Sequence, residues 1–363
     1  MGTVREPRVI VEPRAAYELL MSLMAVSDPT NRTASDLGDE WFERIEQAAG
    51  PDLIERIARL SGGCEWVFGN VLGLAIETPE PRDAAAFRGH LDELDDRTVH
   101  LTLVGWSLRP FRRVTPPEVM EAAVDGDRAA RARFLASSFP DDHRWPAGLR
   151  ALLALSSPEA AGLLRSIVRD WDEGVFRHEW PSLEVVIQRA AAEQRALLAT
   201  RPPSRVIDIA TNGWDYVPEP GVSQVILAPS VVQRPWVTTA DHGDTRIFCT
   251  AVPDDVVASV AGEQPPAFLV RRLRALGDER RLRLLRRIVQ GRVSLHELAA
   301  ETGLPKTTIH HHLVALRSAG LVRLRDDPMR QYSPQPRYTV RAEAIPDAFA
   351  ALTAWLGLEE EPS

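Results

Sequence analysis

The sequence has 363 residues, of which 44% are hydrophobic and 26% are charged, so it is long enough for two domains that each bury a core. It contains no charge-free apolar run of about 18 residues, and its N-terminus is charged and interrupted by prolines. We therefore expect no membrane span and no signal peptide. Cys64 and Cys249 are the only cysteines and are far apart in the sequence, which argues against a disulfide scaffold or a thiolate zinc site and indicates a cytoplasmic protein.

The net charge of −8 conceals an uneven distribution along the chain. Residues 266–341 contain 16 Lys and Arg against 6 Asp and Glu, whereas residues 342–363 contain 5 acids and no base. Residues 1–265 contain 27 bases and 40 acids. A basic segment attached to an acidic body is typical of a domain that binds a polyanion, although a basic surface without a partner is the alternative.

Residues 14–200 mostly show a helical pattern, in which apolar side chains recur every three or four positions. Clear examples are Tyr17–Met24, Leu53–Ile57 and Leu163–Val168. Pro116-Pro117-Glu118 predicts a helix start, because proline at the first helical positions removes no intrahelical hydrogen bond. We find no P-loop, GxGxxG, GxSxG or HExxH motif, so no catalytic residue is assigned and no cofactor is expected.

Some polar groups in the first 260 residues could be functional, but each has a simpler interpretation. Gly62-Gly63-Cys64 with Gly69-Asn70 could be a glycine-rich site or turns between helices. His178-Glu179, Asp241-His242 and His143 beside Asp141-Asp142 could be acid–base or metal groups, or ordinary surface features. The region also contains eight tryptophans, which could fill a core or line an apolar ligand pocket: Trp41, Trp66, Trp106, Trp145, Trp171, Trp180, Trp214 and Trp236.

The pattern changes after Arg201–Ser204. Short apolar runs separated by turn residues predict a small antiparallel sheet at about residues 205–252, with strands at Val206–Ala210, Val225–Ala228, Trp236–Thr239 and Arg246–Val252. Ala261–Pro266 then has the composition of a linker. We therefore expect an N-terminal domain, residues 1–262, that is mostly helical and ends in this sheet.

The region after the linker predicts a series of short helices. Phe268–Leu276 ends at Gly277, and Asp278 can cap a second helix with an apolar stripe at Leu282, Leu285, Ile288 and Val289. Ser294 and Glu297 have the spacing of a capping box, in which each side chain bonds the other residue's backbone N–H. That short helix ends at Gly303, and Pro305 begins the next one.

Two short helices joined by a tight turn predict a helix-turn-helix. Leu321–Arg325 and Arg337–Arg341 then alternate apolar and basic residues on either side of a loop, which predicts the two strands of a wing. The fold class is therefore mainly α with small β elements, and the helical N-terminal domain is followed by a winged helix-turn-helix domain at residues 266–358.

The three consecutive histidines 310–312 raise the question of a metal site. At 100° per residue their rings point in three directions, whereas a chelating pair on a helix needs a spacing of three or four. We therefore expect His312 to pack against the core. His310 and His311, with Thr307, form an outward set that we expect to contact DNA, and the alternative is that this face is merely solvated. The predicted DNA-binding residues on this helix and the wing are Lys306, Thr307, Thr308, His310, His311, Arg317, Arg323, Arg325, Arg330 and Arg337.

Several linked segments resemble the ArsR family of winged-helix transcriptional regulators: residues 276–285 (LGDERRLRLL), 297–304 (ELAAETGL), 308–313 (TIHHHL) and 316–322 (LRSAGLV). The resemblance covers about Phe268–Val340. It implies a transcriptional regulator that binds double-stranded DNA. Family members are usually homodimeric repressors that an effector releases from DNA. Family members pair through their first and last helices, and the corresponding segments here each carry an apolar stripe. The expected dimerisation residues are Phe268, Leu269, Leu273, Leu276, Ile345, Phe349, Leu352, Trp355 and Leu356. The alternative is that both stripes pack into the core of the monomer.

The sequence also departs from the family pattern. Metal-sensing members carry a cysteine pair where this chain has Val293–Leu298, and another site type uses Asp, His and Glu on the last helix, which here has one acid and no histidine. Metal sensing at the usual positions is therefore not expected. The resemblance does not reach the first 260 residues, so we expect them to respond to an unknown small molecule or protein. The alternative is an enzyme that uses an attached winged helix for autoregulation or docking.

Overall fold

The computed structural model describes residues 6–27, 32, 35–64, 66–138, 145–214, 216–253, 256, 265–325 and 337–358. The chain divides into two compact units. The helical body comprises Arg8–Ala191 and Val222–Thr250, and the C-terminal unit comprises Met1–Pro7, Ala192–Gly221 and Ala251–Ser363. The C-terminal unit thus includes residues 192–221, which the predicted boundary had assigned to the N-terminal domain.

The described part of the helical body consists mainly of short and medium-length helices. Several begin at a side-chain cap: Asp83, Asp95 and Ser156 each accept a hydrogen bond from the backbone N–H three residues ahead. The helices are α1 (Ala15–Ser27), α2 (Asp39–Ser61), α3 (Trp66–Glu77), α4 (Ala84–Glu93), α5 (Asp96–Leu103), α6 (Arg109–Val114), α7 (Pro117–Val124), α8 (Arg128–Ser138), α9 (Trp145–Ala154), α10 (Ser157–Trp171), a π-helical segment (Asp172–Phe176) and α11 (Arg177–Thr200), which continues into the C-terminal unit. The helix start expected at Pro116-Pro117 is confirmed by α7.

None of the single helices in these described ranges is long and apolar enough to cross a membrane. One sharply bent pair, Pro146–Ala154 with Ser157–Thr200, meets the criterion by length and composition only.

A four-stranded sheet completes the helical body, with strand order β1-β2-β4-β3. Its strands are β1 (Arg8–Val11), β2 (Gln224–Ser230), β3 (Thr238–His242) and β4 (Thr245–Ala251). β3 and β4 pair antiparallel as expected, whereas β1 pairs parallel with β2, with Val9 opposite Val225. The prediction of a strand at Val206–Ala210 is wrong, because these residues lie in helix α12 (Pro203–Ala210) of the C-terminal unit.

Tightly packed apolar side chains from the helices and from β2 to β4 fill the core of the helical body. Trp171 is fully buried, and its indole N–H donates to the Ser22 hydroxyl at 2.8 Å, so its one polar atom is satisfied. Trp66 is also buried, and Trp41, Trp106 and Trp180 pack against the same core. These tryptophans therefore stabilise the fold.

The carboxyl group of Glu18 lies inside this core. Glu18 of α1 is 1% exposed, and its Oε1 accepts hydrogen bonds from the backbone N–H groups of Val231 at 2.9 Å and Val232 at 3.0 Å. Burial raises the pKa of Glu18 to about 7, although these N–H groups and the Ser230 hydroxyl act in the opposite direction by stabilising the charged form. The carboxyl therefore titrates near neutral pH.

The C-terminal unit contains α12 and the predicted winged helix. The further elements are α13 (Ala267–Leu276), α14 (Glu279–Val289), β5 (Val293–Ser294), α15 (Leu295–Thr302), α16 (Lys306–Ser318), β6 (Val322–Arg325), β7 (Arg337–Val340) and α17 (Ala344–Trp355). The three strands form a sheet in the order β5-β7-β6 with antiparallel pairing. The prediction of a mainly α chain with small β elements and a C-terminal winged helix-turn-helix is confirmed.

The core of this unit differs from the predicted stripe of α14 in two positions. Leu284, Leu285 and Ile288 are buried, whereas Leu282 and Val289 are exposed. The expected stripe therefore included two residues that face solvent, because Leu284 takes the inward position. Trp214, which follows α12, packs against the same core and thus belongs to the winged-helix side of the chain.

Candidate nucleic-acid interface

Local sequence signals position the helix-turn-helix. Asp278 caps α14 by accepting from the Arg281 N–H at 2.9 Å. Ser294 and Glu297 form the expected capping box at the start of α15: the Ser294 N–H donates to the Glu297 carboxylate at 2.7 Å, and the Glu297 N–H donates to the Ser294 hydroxyl at 3.2 Å. Gly303 ends α15 with φ 68°, a conformation that glycine adopts at little cost, and α16 follows Pro305 directly.

Helix α16 has one buried face and one exposed face. Ile309, Leu313 and Leu316 are buried in the core of the unit, which fixes the orientation of the helix. Four side chains lie exposed on the other surface: Lys306, Thr307, His310 and His311. The structure therefore brings together the outward set that the helical periodicity predicts. These side chains offer hydrogen-bond donors suited to phosphates and to base edges in a major groove.

The consecutive histidines diverge as their spacing requires. The rings of His310 and His311 are 6.2 Å apart at an angle of 64°. His312 is half-buried, and its pKa is lowered mainly by burial, with Asp278 acting in the opposite direction. Within the described ranges, no group of three or more His, Cys, Asp or Glu side chains could hold a metal ion.

Two further residues predicted on this helix are less accessible. Thr308 is half-buried. Arg317 is also half-buried, and burial lowers its pKa while the nearby Tyr338 of β7 partly offsets that effect. Arg317 therefore packs towards the wing sheet and does not join the exposed row of α16.

The wing arginines are predicted to hold phosphates, and two of them form ion pairs within the unit. Arg323 pairs with Glu343 and, at 3.3 Å, with Asp208. Arg337 donates to the Glu297 carboxylate at 3.1 Å and to the Arg292 carbonyl at 2.9 Å. Both guanidinium groups are thus already engaged by carboxylates within the unit, which sequence pattern alone could not reveal. The backbone of Arg325 lies in β6, and Arg330 lies outside the described residues.

The predicted dimerisation residues lie on two helices that pack against each other, α13 and α17. Leu269 is buried within the monomer, and Phe268, Leu273, Leu276, Ile345 and Leu352 are half-buried. Phe349, Trp355 and Leu356 remain 52%, 45% and 50% exposed. The monomer's own core thus accounts for part of the two stripes and leaves an apolar surface on α17.

The candidate polar groups of the helical body lie in ordinary structural contacts. Gly62 is the left-handed residue that ends α2, as expected for a turn. Glu179 pairs with Arg44, Asp241 with Arg109 at 2.8 Å, and His242 with Glu77 at 2.7 Å. Residues 141–143 lie outside the described residues. A small cavity of about 30 Å³ has room for about one water molecule, and its lining includes Met24, Phe42, Val232 and Trp236.

Sequence reasoning missed the contribution of residues 203–214 to this unit. Asp208 contacts Arg323 of β6, and Asn212 contacts Arg341, which directly follows β7. One available signal was Pro202-Pro203, which has the same form as the helix start correctly predicted at Pro116-Pro117.

Comparison with known families agrees with this geometry. Residues 278–323, from the cap of α14 to the first wing strand, match the family model described as bacterial regulatory protein, arsR family. The C-terminal domain is therefore similar, over these residues, to the winged helix of that family. The ArsR-type domain supports a DNA-binding function in transcription regulation. No curated protein and no solved structure matches the chain.

Proposed function

We propose that this protein is a cytoplasmic, homodimeric transcriptional repressor that reads DNA with α16 and is controlled through its helical body. The observation that carries the proposal is the row of exposed donor side chains on α16, held outward by the buried Ile309, Leu313 and Leu316 within an ArsR-type domain. A helix fits the major groove of B-DNA, where each base pair presents a distinct pattern of donors and acceptors.

Base reading is assigned to the exposed face. Lys306 at the first turn can donate to guanine N7 and O6 or to a phosphate, and Thr307 can bond either partner. His310 and His311 carry ring N–H groups that can donate to base edges or phosphates. The N-terminal turn of α16 adds backbone N–H groups that favour a phosphate.

The homodimer is supported by the apolar surface that α17 leaves exposed. Phe349 and Trp355 lie on α17 and Leu356 directly follows it, and burying each against a second copy removes apolar area from water. A two-fold dimer would present two copies of α16 about 34 Å apart, roughly one turn of DNA. The operator is therefore proposed to be an imperfect palindrome.

Control is assigned to a small molecule or protein that acts on the helical body, and no catalytic activity is assigned to the chain. The segment Val293–Leu298 and helix α17 lack the side chains that form the usual metal sites of the resembled family. The helical body surrounds its own large core and supplies most of the chain, so it can bind an effector. An effector that binds one conformation of the protein more tightly than another shifts the affinity for DNA.

The test is a salt titration of the full chain on duplexes selected from a random pool. If α16 and its surroundings neutralise several phosphates, the logarithm of the binding constant should fall linearly with the logarithm of salt concentration, by about 0.9 for each phosphate. Lys306→Gln should weaken binding to all duplexes and reduce that slope by about one. Salt-independent binding, or no enrichment of any duplex by the full chain, would refute the proposal.

A further inference from the structure

The C-terminal unit contains a charged cluster at the base of the wing that lies mostly outside the matched segment 278–323. Arg323 of β6 pairs with Asp208 of α12 at 3.3 Å and with Glu343 at the end of the wing. Arg341, next to β7, donates to the Asn212 side chain and lies 3.7 Å from Glu343. Residues 203–214 thus contact one basic side chain on β6, Arg323, and one directly after β7, Arg341.

Two glycines permit this close contact. Gly213 has φ 104°, and a Cβ there would lie 2.9 Å from side-chain atoms of both Arg323 and Arg341. Gly320, with φ 65°, ends α16, and a Cβ there would lie 2.6 Å from the Asn212 side chain. Such distances are shorter than carbon contacts allow, so a side chain at either position would force the arginine or asparagine side chains to shift. The two glycines therefore let these side chains approach closely.

The cluster balances charge at the wing. Two carboxylates, Asp208 and Glu343, face the two wing guanidinium groups, and Asp208 also pairs with the more exposed Arg205. Burial lowers the pKa of Arg341, and both carboxylates oppose that effect, as expected for a buried cation held by anions. A guanidinium group whose charge is balanced by a nearby carboxylate attracts a phosphate less strongly.

The chain connections of this segment link it to the helical body. Upstream it continues from α11, whose first part belongs to the helical body, and downstream it leads into β2, a strand of that body's sheet. A change of conformation in either element can therefore act on Asp208 and Asn212 through the covalent chain. The segment is therefore one of the covalent connections between the helical body and the C-terminal unit.

We propose that residues 203–214 form an internal clamp that withholds Arg323 and Arg341 from DNA, so that displacement of the clamp raises the DNA affinity of the wing. This inference rests on the proposed DNA-binding function and deepens it by naming the regulation of that site. Asp208 is the main electrostatic element of the clamp, and Asn212 with the two glycines positions it.

The test compares salt titrations of the full chain and of Asp208→Asn on the same duplex. The substitution keeps the shape of the side chain and leaves Glu343 to be shared by two arginines, so one guanidinium becomes available to a phosphate. The expected result is tighter binding with a slope steeper by about 0.9. The advantage of the variant should accordingly shrink about 3.5-fold between 50 and 200 mM salt.

A matched control and a double variant isolate the clamp. Asp347→Asn removes the same charge from an exposed position on α17 and should change the slope by much less. Adding Arg323→Gln to Asp208→Asn should return the slope to that of the wild type. The clamp would be overturned if Asp208→Asn increased DNA affinity and slope only as much as Asp347→Asn does. It would also be overturned if the increase persisted after Arg323→Gln was added.

A third measurement serves if Asp208→Asn does not fold. Arg323→Gln in the otherwise unchanged chain should leave the slope nearly as it is, because the clamp already holds this arginine. A slope reduced by about 0.9 would show that Arg323 contacts DNA in the unmodified protein, and the clamp would be rejected. Salt-dependent binding by the wild type that Asp208→Asn leaves unchanged rejects the clamp alone, whereas absence of salt-dependent binding by the wild type rejects the proposed function itself.

Discussion

The buried carboxyl of Glu18 should make the stability of the helical body depend on pH. Its pKa is about 7 in the folded protein, compared with an ordinary value of 4.5, because burial penalises the charged form. Below pH 4.5 both the folded and the unfolded chain hold the proton. Between pH 4.5 and 7 only the folded state holds it, so the free energy of unfolding falls as pH rises through this window and levels off above it. Since one pKa unit corresponds to about 1.4 kcal/mol, the loss amounts to about 3 kcal/mol.

The substitution Glu18→Gln isolates this effect. Glutamine keeps the shape of the side chain and an oxygen that can accept from the Val231 and Val232 N–H groups, but it does not titrate. At pH 8 the variant should therefore be more stable than the wild type by about 3 kcal/mol, or roughly 6–12 °C in the midpoint of thermal unfolding. At pH 4.5 the two proteins should unfold at similar temperatures.

Thermal unfolding followed by tryptophan fluorescence suits the measurement, because Trp171 and Trp66 are buried in the same core. Glu40→Gln is the matched control, since Glu40 is exposed on α2 and its removal should leave the pH dependence of the wild type unchanged. If the midpoints of wild type and Glu18→Gln ran parallel from pH 4.5 to 8, Glu18 would not titrate in this window and the reasoning would be refuted.

Two further predictions concern the C-terminal unit. Ser294→Ala removes the hydroxyl that accepts from the Glu297 N–H and should lower the stability of the unit by about 1 kcal/mol in urea unfolding, whereas Ser294→Gly should cost only a few tenths; equal losses would contradict the role of the cap. Phe349→Glu combined with Trp355→Glu places charges on the exposed apolar surface of α17 and should convert a species near twice 40.3 kDa into a monomer in sedimentation. A wild-type chain that sediments as a monomer and still binds a single asymmetric site tightly would rule out the dimer.

Local signals in the sequence were sufficient for most of the winged helix. Asp278, Ser294 and Gly303 act within three or four residues of their own positions, so the chemistry of each cap is contained in the sequence around it. The two faces of α16 follow from helical periodicity in the same way. The exposed set Lys306, Thr307, His310 and His311 could therefore be predicted from the sequence.

Contacts between distant parts of the chain could not be predicted. β1 is a four-residue run whose parallel partner β2 lies more than 200 residues away, so no local pattern marks it as a strand. Val206–Ala210 is apolar enough for a strand, but the proline pair before it and its packing in the C-terminal unit favour a helix. Arg323 has the position of a wing arginine, and only the fold shows that Asp208 and Glu343 pair with it.

The most direct test of DNA reading by α16 is the base preference of His311→Ala. A selection from random duplexes gives the preference of the wild type, and affinities for single-base variants of the selected site then give the discrimination at each position. His311 lies on the exposed face of α16, so its loss should relax the preference at one position in each half-site by about 1–3 kcal/mol and leave the others unchanged. His178→Ala, an exposed histidine on α11, serves as the control and should retain full specificity. A His311→Ala variant with the complete preference of the wild type would show that this face of α16 does not read the bases.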